Sequence, residues 1–461
     1  GCFDLGTACF AYEGEAFPYG GQTFPFRAGE SGLSQRRNPP AGTNGTRFAA
    51  RPCRDIRPQE YAREPRTDRR SMENSAIPTD KPWLFGLTLD ELERIAAENG
   101  MPRFAARQIA SWLYRKGADS IGGMTDLSLK NREKLAGKYE LGTIPFADVQ
   151  RSADGTKKYL FPTLQGRFIE SAYIPDGERA TLCVSSQSGC RMGCRFCMTA
   201  RQGFAHHLTA GEILNQIRSI PESDRLTNVV YMGMGEPLDN AEQVIRSLEV
   251  LTSDWGYGWS PTRITVSTIG VIPAMRELLR RTRVHLAVSL HDPIPAERAA
   301  MMPAERRYPI EQVVAELRRH DFAHQRRISF EYIVFRGVND TPAHVAALTR
   351  LAGLRCRINL IRFHAIPDAP FEGADEPTMV RLRDELSRRG ITTTIRASRG
   401  EDIQAACGLL STLRQGNGSP AGRKESPEAS GSEPHETSSD ARCGTTIAPE
   451  RTEPDNKKTI P

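Results

Sequence analysis

The chain has 461 residues, 38% of them hydrophobic, enough for two or three domains with true cores. No run of about 18 apolar residues occurs, which excludes a helical membrane span. A formal net charge of +6 permits a nucleic-acid partner without requiring one. The ten cysteines are few for this length and partly bunched, unlike a secreted disulfide framework, so a reducing cytoplasmic setting is expected.

Residues 1–71 begin with Gly, contain no Lys and show neither helical nor strand period. They read as a disordered or upstream extension, with Met72 the expected natural start. Eight acidic residues in this stretch argue against a transit peptide, and Cys2, Cys9 and Cys53 receive no functional weight. Residues 72–145 read as a small helical domain. Thr88 with Glu91 forms a capping box, Pro102 suits a first helical turn, and Phe104, Ile109, Trp112 and Leu113 recur at helical spacing. Its Arg and Lys residues allow an RNA contact, although a solvated face explains any single one. Residues 146–180 form a strand-bearing linker, in which Glu170 sits within an apolar run; alternation alone would turn it outward.

From Thr181 a rhythm sets in. Strand-like runs at 181–186, 228–232, 263–267, 284–289, 328–334 and 356–361 alternate with helical patterns near 209–220, 240–251, 272–281, 309–319, 341–352 and 376–389. Six such units predict an α/β fold with a parallel sheet, an open or partial (βα)6 barrel over residues 181–413. Ligands gather at the carboxyl ends of such strands. There the sequence places Gly233-Met-Gly-Glu-Pro237, Ser267-Thr-Ile-Gly270, Ser289-Leu-His291 and Ile361-Arg-Phe-His364. Each is weak alone, since a Gly turn or a polar strand end is usually structural. Together on one rim they predict a site. Residues 414–461 are polar, rich in Gly, Ser, Pro and Glu, and predicted disordered.

The first strand runs into a loop holding Cys190, Cys194 and Cys197, spaced C-x3-C-x2-C. Three thiolates suit a [4Fe–4S] cluster with one iron left open for a small molecule. A zinc site is the alternative, with His206 or His207 as a fourth ligand. Cys407, beside small residues near the end of the patterned chain, would by itself read as buried and inert.

With these stretches assembled, the sequence resembles the radical S-adenosylmethionine (SAM) RNA methyltransferases of the RlmN/Cfr family. The resemblance rests on Arg179-Ala-Thr-Leu-Cys-Val-Ser-Ser-Gln187, the three-cysteine loop, Met232-Gly-Met-Gly-Glu-Pro-Leu238, Phe330-Glu-Tyr-Ile-Val334, Gly337-Val-Asn-Asp340 and Gly400-Glu-Asp-Ile-Gln-Ala-Ala-Cys-Gly408. It spans roughly residues 83–413 and displaces the zinc reading. It implies that Cys190, Cys194 and Cys197 hold the cluster, with SAM on the open iron. Gly235, Glu236, Ser267, Ser289, Leu290, His291 and His364 would complete the SAM pocket, His364 departing from the Asn common in the family.

The resemblance also implies methylation at C2 of an adenosine in 23S rRNA and of the adenosine beside the anticodon in some tRNAs. Two SAM molecules would be used per turnover. Cys407 would carry a methyl group from the first, Cys183 would release the product by forming a disulfide, and Glu170 would accept a proton at the adenine. A flavodoxin- or ferredoxin-type electron donor and a cellular dithiol reductant are the implied partners of a monomeric, membrane-free enzyme. Methylation at C8, as in the Cfr branch, is the nearest alternative.

Overall fold

The computed structural model describes residues 81–322 and 327–412. Met72, both tails and their cysteines lie outside the described residues. Three helices come first, α1 (Leu89–Glu98), α2 (Phe104–Ser111) and α3 (Leu129–Lys138). Glu91 accepts the Thr88 N–H at 2.8 Å, closing the anticipated capping box at α1. α2 continues into a π-helical turn, Trp112–Lys116. On that turn Tyr114 donates its hydroxyl to the Leu87 carbonyl at 2.6 Å and stacks near Trp255 and Tyr257, while Arg115 reaches the Gly256 carbonyl. The small helical region is thereby fastened to the body of the protein.

β1 (Asp148–Arg151), β2 (Lys157–Pro162), β3 (Phe168–Asp176) and β4 (Arg179–Cys183) form an antiparallel meander. A separate two-stranded ribbon, β5 (Gln187–Gly189) with β6 (Phe204–His207), frames the cysteine loop. β4 then pairs in parallel with β7 (Asn228–Tyr231). Parallel pairing continues through β8 (Ile264–Thr268), β9 (His285–Ser289), β10 (Ile328–Val334), β11 (Cys356–Arg362) and β12 (Thr392–Ile395). The result is one ten-stranded sheet that ends at β1 and β12, an open barrel wall as the rhythm predicts.

Helices on the outer face are α4 (Ala210–Arg218), α5 (Ala241–Thr252), α6 (Ile272–Arg281), α7 (Pro295–Met301), α8 (Ile310–Leu317), α9 (Pro342–Leu348) and α10 (Glu376–Arg388). Val229, Ile264, Leu286, Phe330 and Ile358, one from each of five neighbouring parallel strands, are essentially inaccessible. By register these five share one face of the sheet, the face packed into the main hydrophobic core. Every crossover carries the carboxyl end of its strand to the same rim, and the unusual residues collect there. Within residues 181–413 the sequence expectation lacks the β5–β6 ribbon, α7, and β12, which adds a seventh parallel strand.

Candidate active site

The cysteine loop begins at β5, where geometry is tight. Gly189 has φ 77°, and a Cβ there would fall 1.7 Å from the Gly203 carbonyl oxygen, so only glycine lets β5 meet the end of the loop. The Cys190 N–H donates to that same carbonyl at 3.0 Å. Cys190, Cys194 and Cys197 line a single cleft of about 830 Å³, counting its open mouth. Burial pushes the Cys190 thiol up to about 12, and Cys197 upward as well. Cys194 rises well above the usual range, through burial first and then repulsion from Cys197 and Cys190. Cys190 is buried and Cys194 and Cys197 are partly so; three adjacent thiols of this kind become thiolates only beside strong compensating positive charge, so the donor set fits an iron–sulfur centre. The histidines of the zinc alternative face elsewhere. His207 contacts Gln187 and Arg191 through its two ring nitrogens, and neither it nor His206 lines the cleft.

Opposite the cysteines lie Gly235, Glu236, Ser267, Ser289 and His291. Gly235 has φ 100°, and a Cβ on it would meet the Gln187 side chain at 2.5 Å. The Glu236 carboxylate accepts N–H bonds from Leu238 at 3.1 Å and Ile269 at 3.0 Å, pinning the turn after β7 to the end of β8. Burial pushes its carboxyl up to about 7. His291 is buried and in the left-handed region at φ 53°. Its Nδ1 accepts the Ile333 N–H at 3.0 Å, and burial lowers it to about 3, so the ring is neutral. Two expected pocket residues sit elsewhere. Leu290 faces a separate cavity behind the sheet with Pro293 and Ile310, because alternation along β9 turns it away from Ser289 and His291. His364 lies in a second chamber, its Nε2 3.1 Å from the Ser398 hydroxyl.

That second chamber brings Cys183, at the end of β4, together with Cys407, which follows β12 by a dozen residues. Cys197 and Cys407 line both cavities, so the two thiols and the three-cysteine cleft are continuous. Cys183 is buried and Cys407 exposed, against the reading of Cys407 as an inert core residue. Burial, followed by the neighbouring Cys407, pushes the Cys183 thiol up to about 12, and the Arg396 guanidinium opposes this. The segment carrying Cys407 is tied down at several points. Thr199 Oγ1 donates to the Leu410 carbonyl at 2.6 Å, and the Met198 N–H to that of Gly408 at 2.9 Å. Gln202 engages both Ser411 and Thr412. The Ser411 N–H donates to Glu170 Oε2 at 3.0 Å.

Glu170 is 1% exposed, buried on the face it shares with Ala172 rather than turned to water. Its Oε1 pairs with Lys158 Nζ at 3.1 Å. Burial raises its carboxyl and Lys158 opposes the rise.

Three groups at this site escape sequence reasoning: Lys158, Glu331 and Arg396. Arg396 donates to Glu331 Oε2 at 3.3 Å, and Glu331 also accepts from Ser329 and Asn359. Position relative to a strand end is the signal that would have found Arg396, since it follows β12 directly. β12 itself was not anticipated.

A sheet of parallel strands whose rim gathers three cysteines, a glycine-rich turn and a buried glutamate defines a radical SAM enzyme, and a radical SAM superfamily model matches residues 184–348. A model for the N-terminal domain of ribosomal RNA large subunit methyltransferases matches residues 83–141. A Bacteroides thetaiotaomicron protein named "Probable dual-specificity RNA methyltransferase RlmN" is 56% identical over 72% of this chain and 96% of its own length. A dual-specificity RNA methyltransferase RlmN from Syntrophus aciditrophicus is 43% identical, covering 70% of this chain and 95% of that protein. The crystal structure of a radical SAM methyltransferase from Sphaerobacter thermophilus superposes with a TM-score of 0.67 at 42% identity, over 71% of this chain and 99% of that one. The chain belongs to the RlmN family of radical SAM RNA methyltransferases. Membership implies a [4Fe–4S] cluster and SAM. No described helix is long and apolar enough to cross a membrane.

Proposed function

We propose that this enzyme methylates C2 of one adenosine in 23S rRNA and of the adenosine next to the anticodon in some tRNAs, through an S-methylated Cys407 and a transient Cys183–Cys407 disulfide. The observation that carries this reading is the shared chamber of Cys183 and Cys407, open to the three-cysteine cleft. An ordinary methyl transfer to a nucleophilic atom needs neither thiol, but C2 of adenine is electron-poor and does not attack a sulfonium methyl, so the transfer requires another route.

In this reading Cys190, Cys194 and Cys197 hold the cluster. Gly235, Glu236, Ser267, Ser289 and His291 surround SAM, the Glu236 carboxylate facing its ammonium end, with the Leu290 backbone behind. The cluster and SAM together supply one-electron chemistry able to abstract hydrogen from an unactivated methyl group. Cys407, as thiolate, takes a methyl group from one SAM by displacement, and a second SAM is consumed in activating it. Once the methyl carbon is joined to the base, Glu170 accepts the C2 proton and the odd electron left on that adduct would return to the cluster. Cys183 then attacks the Cys407 sulfur, the carbon–sulfur bond breaks, and the released carbon takes a proton to become the product methyl. A cellular dithiol restores both thiols, and a flavodoxin- or ferredoxin-type protein supplies electrons. All six cysteines among the described residues are free, which suits a reducing cytoplasm. His364 borders the thiol chamber and is the one assigned SAM contact that its placement favours least.

The test is anaerobic reconstitution with iron and sulfide, followed by reaction on protein-free rRNA and mass spectrometry of the nucleosides. The expected product is 2-methyladenosine; 8-methyladenosine would overturn the regiochemistry. In the Cys183→Ala variant the RNA stays covalently bound to the enzyme, and turnover at the wild-type rate would remove Cys183 from its role.

A further inference from the structure

Away from both chambers, one group of His and carboxylate side chains among the described residues has its ligand atoms within 4.8 Å of one another: Asp292, Glu297 and His344. Asp292 follows His291 in the turn after β9, Glu297 lies on α7, and His344 on α9. Asp292 and His344 are 0% and 3% exposed, whereas the Glu297 side chain is 45% exposed.

The hydrogen bonding of this group does not close. His344 Nε2 lies 3.0 Å from Glu297 Oε2 and 3.6 Å from Asp292 Oδ2, so one nitrogen faces two carboxylates. A single N–H serves one of them. Asp292 Oδ1 accepts the Ile294 N–H at 2.8 Å, but Oδ2, buried, has no hydrogen-bond partner. Leaving a buried carboxylate oxygen unsatisfied is costly. The adjacent Arg298 feels the charge of Asp292 but donates no hydrogen bond to it, because its guanidinium is spent on Glu305 and on the carbonyls of Leu290, Ser289 and Ile269. On the other side of the ring, His344 Nδ1 lies 2.7 Å from Thr341 Oγ1. Burial disfavours a charged His344 ring, but hydrogen bonds and charge from Asp292 and Glu297 outweigh it and raise the affinity of the ring for a proton. With the Thr341 hydroxyl accepting from Nδ1, a cation takes the place of the Nε2 proton between the two carboxylates, the arrangement found behind metal-ligating histidines.

We propose that Asp292, Glu297 and His344 bind one divalent cation through Oδ2, Oε2 and Nε2. A mixed nitrogen–oxygen set without sulfur selects Mn2+ or Zn2+ class ions over the thiophilic centre held by the cysteines. The half-exposed Glu297 gives the ion a route in and leaves positions for water. The cation joins α7 and α9 to the turn that presents His291 to the SAM cleft, so its role is to brace that rim. The proposal does not depend on the methylation chemistry above.

The test uses the full chain with its cluster loaded and oxidised, a state silent in electron paramagnetic resonance. Titration with Mn2+ is followed by loss of the free-ion signal, and Zn2+ is then added as competitor. The wild type is expected to retain one Mn2+ per chain, released by Zn2+. Asp292→Asn and His344→Gln should each lose it, Glu297→Gln should weaken it, and Thr341→Val should weaken it roughly tenfold or more. Cluster absorption, unchanged in every variant, reports that the fold survives; Glu297→Gln, at an exposed position, covers the case where a buried variant fails. Wild-type protein retaining no ion would overturn the proposal and leave Nε2 holding a proton between the carboxylates. Equal retention in all variants would overturn it too, by placing the ion elsewhere.

Discussion

The two halves of the catalytic rim are built in opposite ways. Cys190, Cys194 and Cys197 come from one short loop framed by β5 and β6, and their proximity follows from chain continuity and a tight glycine contact at Gly189. Cys183 and Cys407 meet only because the parallel sheet is complete, with β4 near one side and the segment after β12 folded back across the rim. The first half is a local motif and the second a tertiary assembly, held by side chains such as Gln202, Thr199 and Glu170. Metal binding in such a molecule can survive damage that abolishes thiol chemistry, whereas the reverse is not expected.

That asymmetry can be broken experimentally, and the largest effect falls on the local half. Cys194→Ala should reduce iron and sulfide content and all SAM cleavage to background, read by metal analysis and product chromatography. Cys407→Ala should keep the cluster and its absorption but lose RNA methylation; if the cluster were lost too, the two halves would not be separable.

Lys158→Met sharpens the contrast from the other side. As the proposed proton acceptor, Glu170 would act only when ionised, so activity is expected to fall as pH drops through its pKa. Burial already raises that pKa and Lys158 restrains it, so removing the lysine should move the acid limb of kcat/KM to higher pH. The neutral-pH rate should fall on the order of 10²-fold, the scale of a lost proton acceptor. Arg396→Met should raise the Cys183 thiol further and slow oxidative closure of the Cys183–Cys407 disulfide roughly threefold for each pKa unit, because the thiolate fraction falls while the nucleophilicity of what remains rises, measured by mass spectrometry after alkylation. Smallest is Gln202→Ala. Loss of its hydrogen bonds, each about 0.5–1.5 kcal/mol, should speed hydrogen exchange of residues 408–412 while leaving the cysteine loop unchanged.

Much of this architecture was legible in the sequence. The six anticipated strands all form, and 328–334 coincides with β10. The rim residues fall at strand ends because hydrophobic periodicity locates strands and topology then dictates which end is functional. β12 was missed because Thr392-Thr-Thr-Ile395 is short and carries little apolar alternation. α7 was hidden by Pro293 and Pro295, although proline at a first helical position is favourable. The partners of Lys158, Glu331 and Arg396 were not legible, because only the fold sets Lys158 against Glu170 and Arg396 against Glu331. The family resemblance put Leu290 in the SAM pocket with Ser289 and His291, and strand alternation sends its side chain to the cavity on the far side.

Both oxygens of the Glu170 carboxylate are already engaged, one by Lys158 and the other by the main chain at Ser411. On the proposed role of Glu170, a nucleobase arriving at that carboxylate competes with the peptide contact, since the lysine is fixed on the adjoining strand β2. Ser411 stands four positions beyond Cys407, so in that reading the incoming guest would loosen the same tether that parks the sulfur, and substrate admission would be coupled to the mobility of the thiol.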